Sequence, residues 1–126
     1  MNNLKLTKQE RLCSTKLIGK LFDLGESFFC FPLKVVYLET SLWENHPAQV
    51  GFTVSKRNFK HAVQRNLLKR RMREAYRLNK PGFYEVIPPG KQVALMFIYT
   101  AREEKDYQLI EKSMQKALGK LGELLH

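Results

Sequence analysis

The segment 56–77, KRNFKHAVQRNLLKRRMREAYR, constrains this chain more than any other part of it. Between Lys56 and Arg73 it holds eight Lys or Arg residues and no acid. A helix accommodates it. At 100° per residue, Arg65, Asn66, Lys69, Arg70, Arg73 and Arg77 fall on one arc of roughly 140°. Leu67, Leu68, Met72, Ala75 and Leu78 fall on the opposite arc. Only Arg71 intrudes on the apolar side, where its aliphatic stem can still lead the charge to water. Exposed helices usually mix charge signs, because like charges at i,i+4 repel. Arg65/Lys69, Lys69/Arg73 and Arg73/Arg77 are such pairs. The plain alternative is a solvated charged face, but the single sign favours a bound polyanion.

At 126 residues, with 44% hydrophobic and 11% aromatic side chains, the chain reads as one folded domain over residues 1–126. Its formal charge, 22 − 12 = +10, favours nucleic acid or an anionic membrane surface as partner. The apolar, uncharged run 92–101 is too short to cross a bilayer. The start, MNNLKLTKQERL, lacks the apolar stretch of a signal peptide, so the cytoplasm is the expected compartment. There, Cys13 and Cys30 are expected as reduced, buried thiols. His46, His61 and His126 are too scattered to draw a Cys/His metal site.

Helix signals open at Ser14 or Thr15 and close at Gly25, giving a first helix over residues 16–24. Residues 27–31 read as an edge strand cut by Pro32. Residues 33–39 read as a strand with Leu33, Val35 and Tyr37 on one face. Glu44, Asn45, His46 and Pro47 form a connection, and residues 49–55 alternate as a further strand. The basic helix follows and is expected to end at Lys80-Pro81-Gly82, with a second turn at Pro88-Pro89-Gly90. Residues 93–99 are apolar throughout, as in a strand covered on both faces. Thr100 with Glu103 has the capping-box pattern for a last helix whose stripe runs from Tyr107 to Leu125. Glu103, Glu104, Asp106 and Glu111 then read as charges favouring its N-terminal dipole. The order α-β-β-β-α-β-α predicts an α+β fold, a two-layer sandwich of helices on a mostly antiparallel sheet. If the strands flanking the basic helix are adjacent and parallel, a right-handed crossover is the default.

No Gly-x-Ser-x-Gly context, phosphate-binding loop or converging set of carboxylates is evident, so no catalytic or metal site is assigned to the polypeptide. Phe22, Phe28, Phe29, Phe31, Tyr37 and Phe52 are candidates for stacking on unpaired bases, with core packing as the ordinary alternative for each. A helix–turn–helix reader needs a helix before the basic one, and here a strand precedes it.

The stretch 51–73, GFTVSKRNFKHAVQRNLLKRRMR, resembles the protein subunit of bacterial ribonuclease P. It carries Val54-Ser55-Lys56, then Ala62-Val63-Gln64-Arg65-Asn66, then Lys69-Arg70 and Arg73, at the spacing of that family's pattern. Two features depart from it: Leu67 stands where a third Arg is common, and the loop 56–61 is one residue longer, with Lys60-His61 replacing Gly-Asn. The resemblance implies a sandwich whose β-α-β crossover through the basic helix is left-handed, against the default. It implies a protein that binds a catalytic RNA and the 5′ leader of precursor tRNA and assists endonucleolytic removal of that leader. It further implies that the Mg²⁺ used is bound chiefly by the RNA subunit, with no membrane and no small-molecule substrate expected. By position, it implies RNA-binding roles for Lys56, Arg57, Lys60, Arg65, Asn66, Lys69, Arg70, Arg73 and Arg77, and a leader cleft containing Ile18, Phe22 and Tyr37. A structural RNA-binding protein of ribosomal type and a basic DNA-binding module are the competing readings.

Overall fold

The structure is a computed structural model that describes residues 5–42 and 46–126. Helix α1 spans Thr15–Leu24, strand β1 Glu26–Cys30, β2 Leu33–Glu39, β3 Ala48–Val54, helix α2 Ala62–Val86, β4 Val93–Tyr99 and α3 Tyr107–Leu124. A 3-10 turn, Lys8–Glu10, precedes α1. The order is therefore the α-β-β-β-α-β-α expected. Glu44 and Asn45 of the expected connection lie outside the described residues.

The strands form one mixed sheet in the order β1-β2-β4-β3. β1/β2 and β2/β4 are antiparallel, and β3/β4 are parallel. Period-2 alternation sorts the side chains onto two faces. Leu33, Val35, Val50, Val54, Leu95 and Phe97 join the main core under α2 and α3. Val36, Ala94 and Met96 join a smaller cluster on the reverse face with Leu21 of α1. β4 is central and covered from both sides, which is why every residue of it but Ile98 is buried. Aromatic rings tie α2 to the sheet: Phe52 stacks on Phe97 at 5.9 Å, and Tyr76 packs against both.

The first helix starts on the first of the two expected caps, the Ser14 side chain accepting from the Leu17 N–H at 3.2 Å. It stops at Gly25, whose N–H bonds the Leu21 carbonyl. A Cβ at Gly25 would press on the Leu21 carbonyl and lie 2.8 Å from the Tyr37 carbonyl, both backbone atoms that cannot swing away. Gly25→Ala is therefore expected to cost about 1–3 kcal/mol by forced repacking, visible as a lowered urea midpoint.

Four expectations are corrected. The basic helix does not end at Lys80-Pro81-Gly82 but continues through Pro81 to Val86. A helix-interior proline costs about 3 kcal/mol. Beyond it, however, Phe83 and Ile87 become buried and Tyr84 reaches Glu10, contacts invisible in the local sequence. Leu78, placed on the apolar arc, is exposed; Tyr76 and Lys80 take the buried positions instead. Thr100 and Glu103 form no capping box. Thr100 Oγ1 donates to the Pro32 carbonyl, and the cap of α3 is Asp106, which accepts from the Leu109 N–H at 2.9 Å. Glu103 and Glu104 thus precede the helix. Finally, both thiols are free, but Cys13 is exposed and Cys30 only half-buried.

The N-terminal segment wraps the outer edge of β3. Leu6 enters the main core and Leu12 the smaller cluster, while the Leu12 N–H donates to the Val50 carbonyl at 2.9 Å. Between them Glu10 is 2% exposed. Lys80 Nζ meets both its oxygens at 2.8 Å, the Tyr84 hydroxyl donates to it at 2.6 Å, and Thr7 donates through N–H and Oγ1. Burial alone raises the Glu10 pKa; the bonds from Lys80, Tyr84 and Thr7 outweigh it and hold the value at about 2.

Candidate nucleic-acid interface

Because β3 and β4 are parallel, their C-terminal ends fall at the same end of the sheet, Val54 beside Tyr99. The loops leaving them meet there. Arg57 and Asn58 from one and Arg102 from the other line a shallow recess of about 350 Å³. Sequence reasoning missed Arg102, since only the parallel pairing brings it to Arg57. Its loop is held firmly. The Tyr99 hydroxyl donates to the Glu103 carbonyl at 2.6 Å and accepts from the Lys105 N–H at 2.9 Å. Arg71 donates to the Lys105 carbonyl at 2.6 Å and lies 3.4 Å from a Glu104 carboxylate oxygen. Thus Arg71, the one cation on the apolar arc, braces that loop.

The basic residues divide into two groups. Asn66, Arg70 and Arg73 are exposed along α2, as are Lys56, Arg57 and Lys60 in the loop before it. Arg65 and Lys69 are half-buried at the edge of the packed face. Arg65 Nη1 donates to the Phe59 and Lys60 carbonyls at 2.8 and 2.9 Å, fastening the loop to the helix. Phe59 in turn is buried edge-on against Tyr99, 5.8 Å between centroids. Arg77 is engaged differently: its guanidinium bonds Glu74 at 2.5 and 3.1 Å, and these hydrogen bonds lower the Glu74 pKa.

Ile18 and Phe22 lie one turn apart on α1, with Ile18 against the reverse-face cluster and Phe22 exposed. Tyr37 does not join them. It shares the parity of Leu33 and Val35, so its ring lies on the α2/α3 side, 6.0 Å from Phe28, and its hydroxyl reaches Glu26 at 3.5 Å. Val36 holds the corresponding place on the α1 side. Of the other aromatics, Phe52 is packed between rings, while Phe29 and Phe31 are exposed beneath Lys34 and Lys105, at 5.5 and 5.9 Å.

Among the described residues, no group of three or more His, Cys, Asp or Glu side chains could hold a metal ion, and no helix is long and apolar enough to cross a membrane. The basic surface presents exposed donors and positive charge, groups of the kind that hold phosphates in position.

Comparison with known proteins agrees with this geometry. The family model described as Ribonuclease P matches residues 6–122. The chain is 37% identical over 114 residues to a ribonuclease P protein component of Porphyromonas gingivalis, covering 90% of this chain and 83% of that one. It is 35% identical to one of Chlorobium phaeobacteroides, covering 90% and 85%. Among solved structures it is similar to the RNase P protein of Thermotoga maritima, with a TM-score of 0.69 at 24% identity over 88% of this chain and 96% of that one. The Staphylococcus aureus RNase P protein aligns with a TM-score of 0.66 at 20% identity, covering 94% and 100%. The parallel β3–α2–β4 crossover is the unit for which this kinship implies the left hand. With the family's signature on its basic helix and the family's fold around it, the chain belongs to the ribonuclease P protein family.

Proposed function

We propose that this chain is the protein subunit of ribonuclease P and assists removal of the 5′ leader from precursor tRNA in the cytoplasm, bound to the catalytic RNA. The observation that carries the proposal is the acid-free exposed row Asn66, Arg70 and Arg73, continued by Lys56, Arg57 and Lys60 at the same end of the sheet. Arg65 fixes the loop that presents them. Arg102 joins that set beside Arg57. Lys69 contributes from the edge of the face, and Arg77 less, because Glu74 already balances its charge. Positive charge here lowers the repulsion between leader and ribozyme strands and so favours docking. Ile18 and Phe22 on α1 are the proposed leader contacts, without Tyr37. Mg²⁺, held by the RNA subunit, supplies the hydrolytic chemistry.

The test is reconstitution. Added to a ribonuclease P RNA at low Mg²⁺, the protein should raise the rate of leader release from precursor tRNA, and protein alone should release none. Absence of stimulation would leave a merely structural RNA-binding protein; cleavage without RNA would refute the division of labour. Asn66 adds a neutral donor and acceptor within the cationic row and orients a phosphate or a metal-bound water. Asn66→Ala should therefore raise the Mg²⁺ concentration needed for half-maximal turnover, with folding unchanged. An unaltered Mg²⁺ dependence removes that role.

A further inference from the structure

At the opposite end of the sheet lies a second basic recess, of about 620 Å³, between the segment before α1, the start of α1, the end of β2 and the start of β3. Lys8, Arg11, Lys16 and Lys20 line it, and among the described residues no acid does. Gln49, at the start of β3, also lines it, whereas Arg57 follows the end of that strand. A seven-residue strand, about 23 Å, separates the two recesses.

Two acids near the recess are committed elsewhere, and Asp23, three residues after Lys20 on the same flank of α1, does not line it. The Glu10 carboxylate is turned inward to Lys80, and Glu39 lies 3.7 Å from Lys91. None of the four cations has an ion-pair partner among the described residues. Lys16 and Lys20 also stand at i,i+4, a like-charge pair that weakens a bare helix. At 100° per residue they occupy the flank of α1 away from Ile18 and Phe22, with the inward-facing Leu17 and Leu21 between the two flanks. A strand lying along Ile18 and Phe22 is thus separated from this recess by the body of α1.

We propose that this recess is a second RNA site, one that grips the sugar–phosphate backbone of the catalytic RNA while the other end of the protein attends to leader and cleavage site. It rests on the function proposed above. Four unpaired cations match a polyanion. The Thr40 and Ser41 side chains in the same lining supply groups able to bond a ribose 2′-hydroxyl, the mark of RNA. Two basic sites at opposite ends let a small protein bridge two RNA segments and fix their relative position, since phosphate contacts position rather than specify.

The experiment compares wild type with the double variant Lys16→Gln/Lys20→Gln, whose exposed side chains have no partner to lose among the described residues; a thermal melt checks that the fold is kept. Affinity for ribonuclease P RNA alone should fall roughly tenfold, within the range for two exposed charge pairs. The slope of log affinity against log salt should flatten by about 1.4–1.8 for two lost phosphate contacts. At saturating protein, kcat and KM for precursor tRNA, and their dependence on leader length, should stay as in wild type. Unchanged affinity for the catalytic RNA overturns the proposal, and so does a loss confined to long-leader substrates, which would place the leader in the recess. If wild type itself fails to stimulate cleavage, the proposed function fails instead, and the two failures are thereby told apart.

Discussion

Replacing Glu10 with Gln is expected to destabilise the protein by about 3–5 kcal/mol, the range for breaking one partner of a buried ion pair. The cost comes from what remains: Lys80, 4% exposed, would keep its charge with no anion beside it, and the Tyr84 hydroxyl and both Thr7 donors would lose their charged acceptor. Lys80→Met should cost a similar amount by stranding the carboxylate. The double change Glu10→Leu/Lys80→Met should recover most of either loss, because a well-packed apolar pair can replace a buried ionic one. Urea unfolding of the three variants checks this, and a double variant no better than the singles would show that the pair does not act as a unit. The pH dependence has a definite sign. The folded pKa of about 2 lies below the ordinary value of 4.5, so this contribution is fully present above pH 4.5 and is lost as pH falls toward 2. At 1.36 kcal/mol per unit it amounts to roughly 3 kcal/mol, and Glu10→Gln should flatten the acid limb of the stability curve.

The second large effect is on binding. Arg70→Ala/Arg73→Ala removes two exposed guanidinium groups from the row on α2. Charge-assisted hydrogen bonds are worth about 1.5–3 kcal/mol each, so affinity for the precursor in the holoenzyme should drop at least a hundredfold and salt dependence should weaken. Folding should stay within about 0.5 kcal/mol, as for surface positions without special contacts. Arg71→Ala should do the reverse. Its guanidinium braces the loop 100–106, so about 1–2 kcal/mol of stability should be lost while the binding defect is mild. Measuring melting and RNA affinity on both variants separates neighbours that look alike in sequence. Equal binding defects would mean the exposed row is not the contact surface.

What was legible in the sequence follows from how local each cause is. The bounds of β2, the stop of α1 and its cap at one of two adjacent hydroxyl residues depend on neighbours within a few residues, and local rules find them. The length of α2 depends on Glu10, about seventy residues earlier in the chain, so local rules that stop a helix at Pro81 could not find it. Thr100 looked like a cap because Glu103 follows at the right spacing; its hydroxyl instead serves the Pro32 carbonyl across the sheet. At the interface, the Arg65–Arg73 signature was visible as charge, but the distinction between charge that faces solvent and charge that braces the fold was not. Arg65 and Arg71 are occupied by carbonyls, and only coordinates show that. Arg102 was hidden for a topological reason, and Tyr37, which the resemblance put with Ile18 and Phe22, lies one step of strand parity away from the α1 side.

The uninterrupted run of α2 has a mechanical consequence. Arg65 and Lys80 sit on one rod about 22 Å apart at 1.5 Å per residue. The far end of that rod is clamped by Glu10, in the same segment that leads into α1. The cationic end is therefore aimed by an anchor it never touches, and play at the anchor would be magnified at the tip.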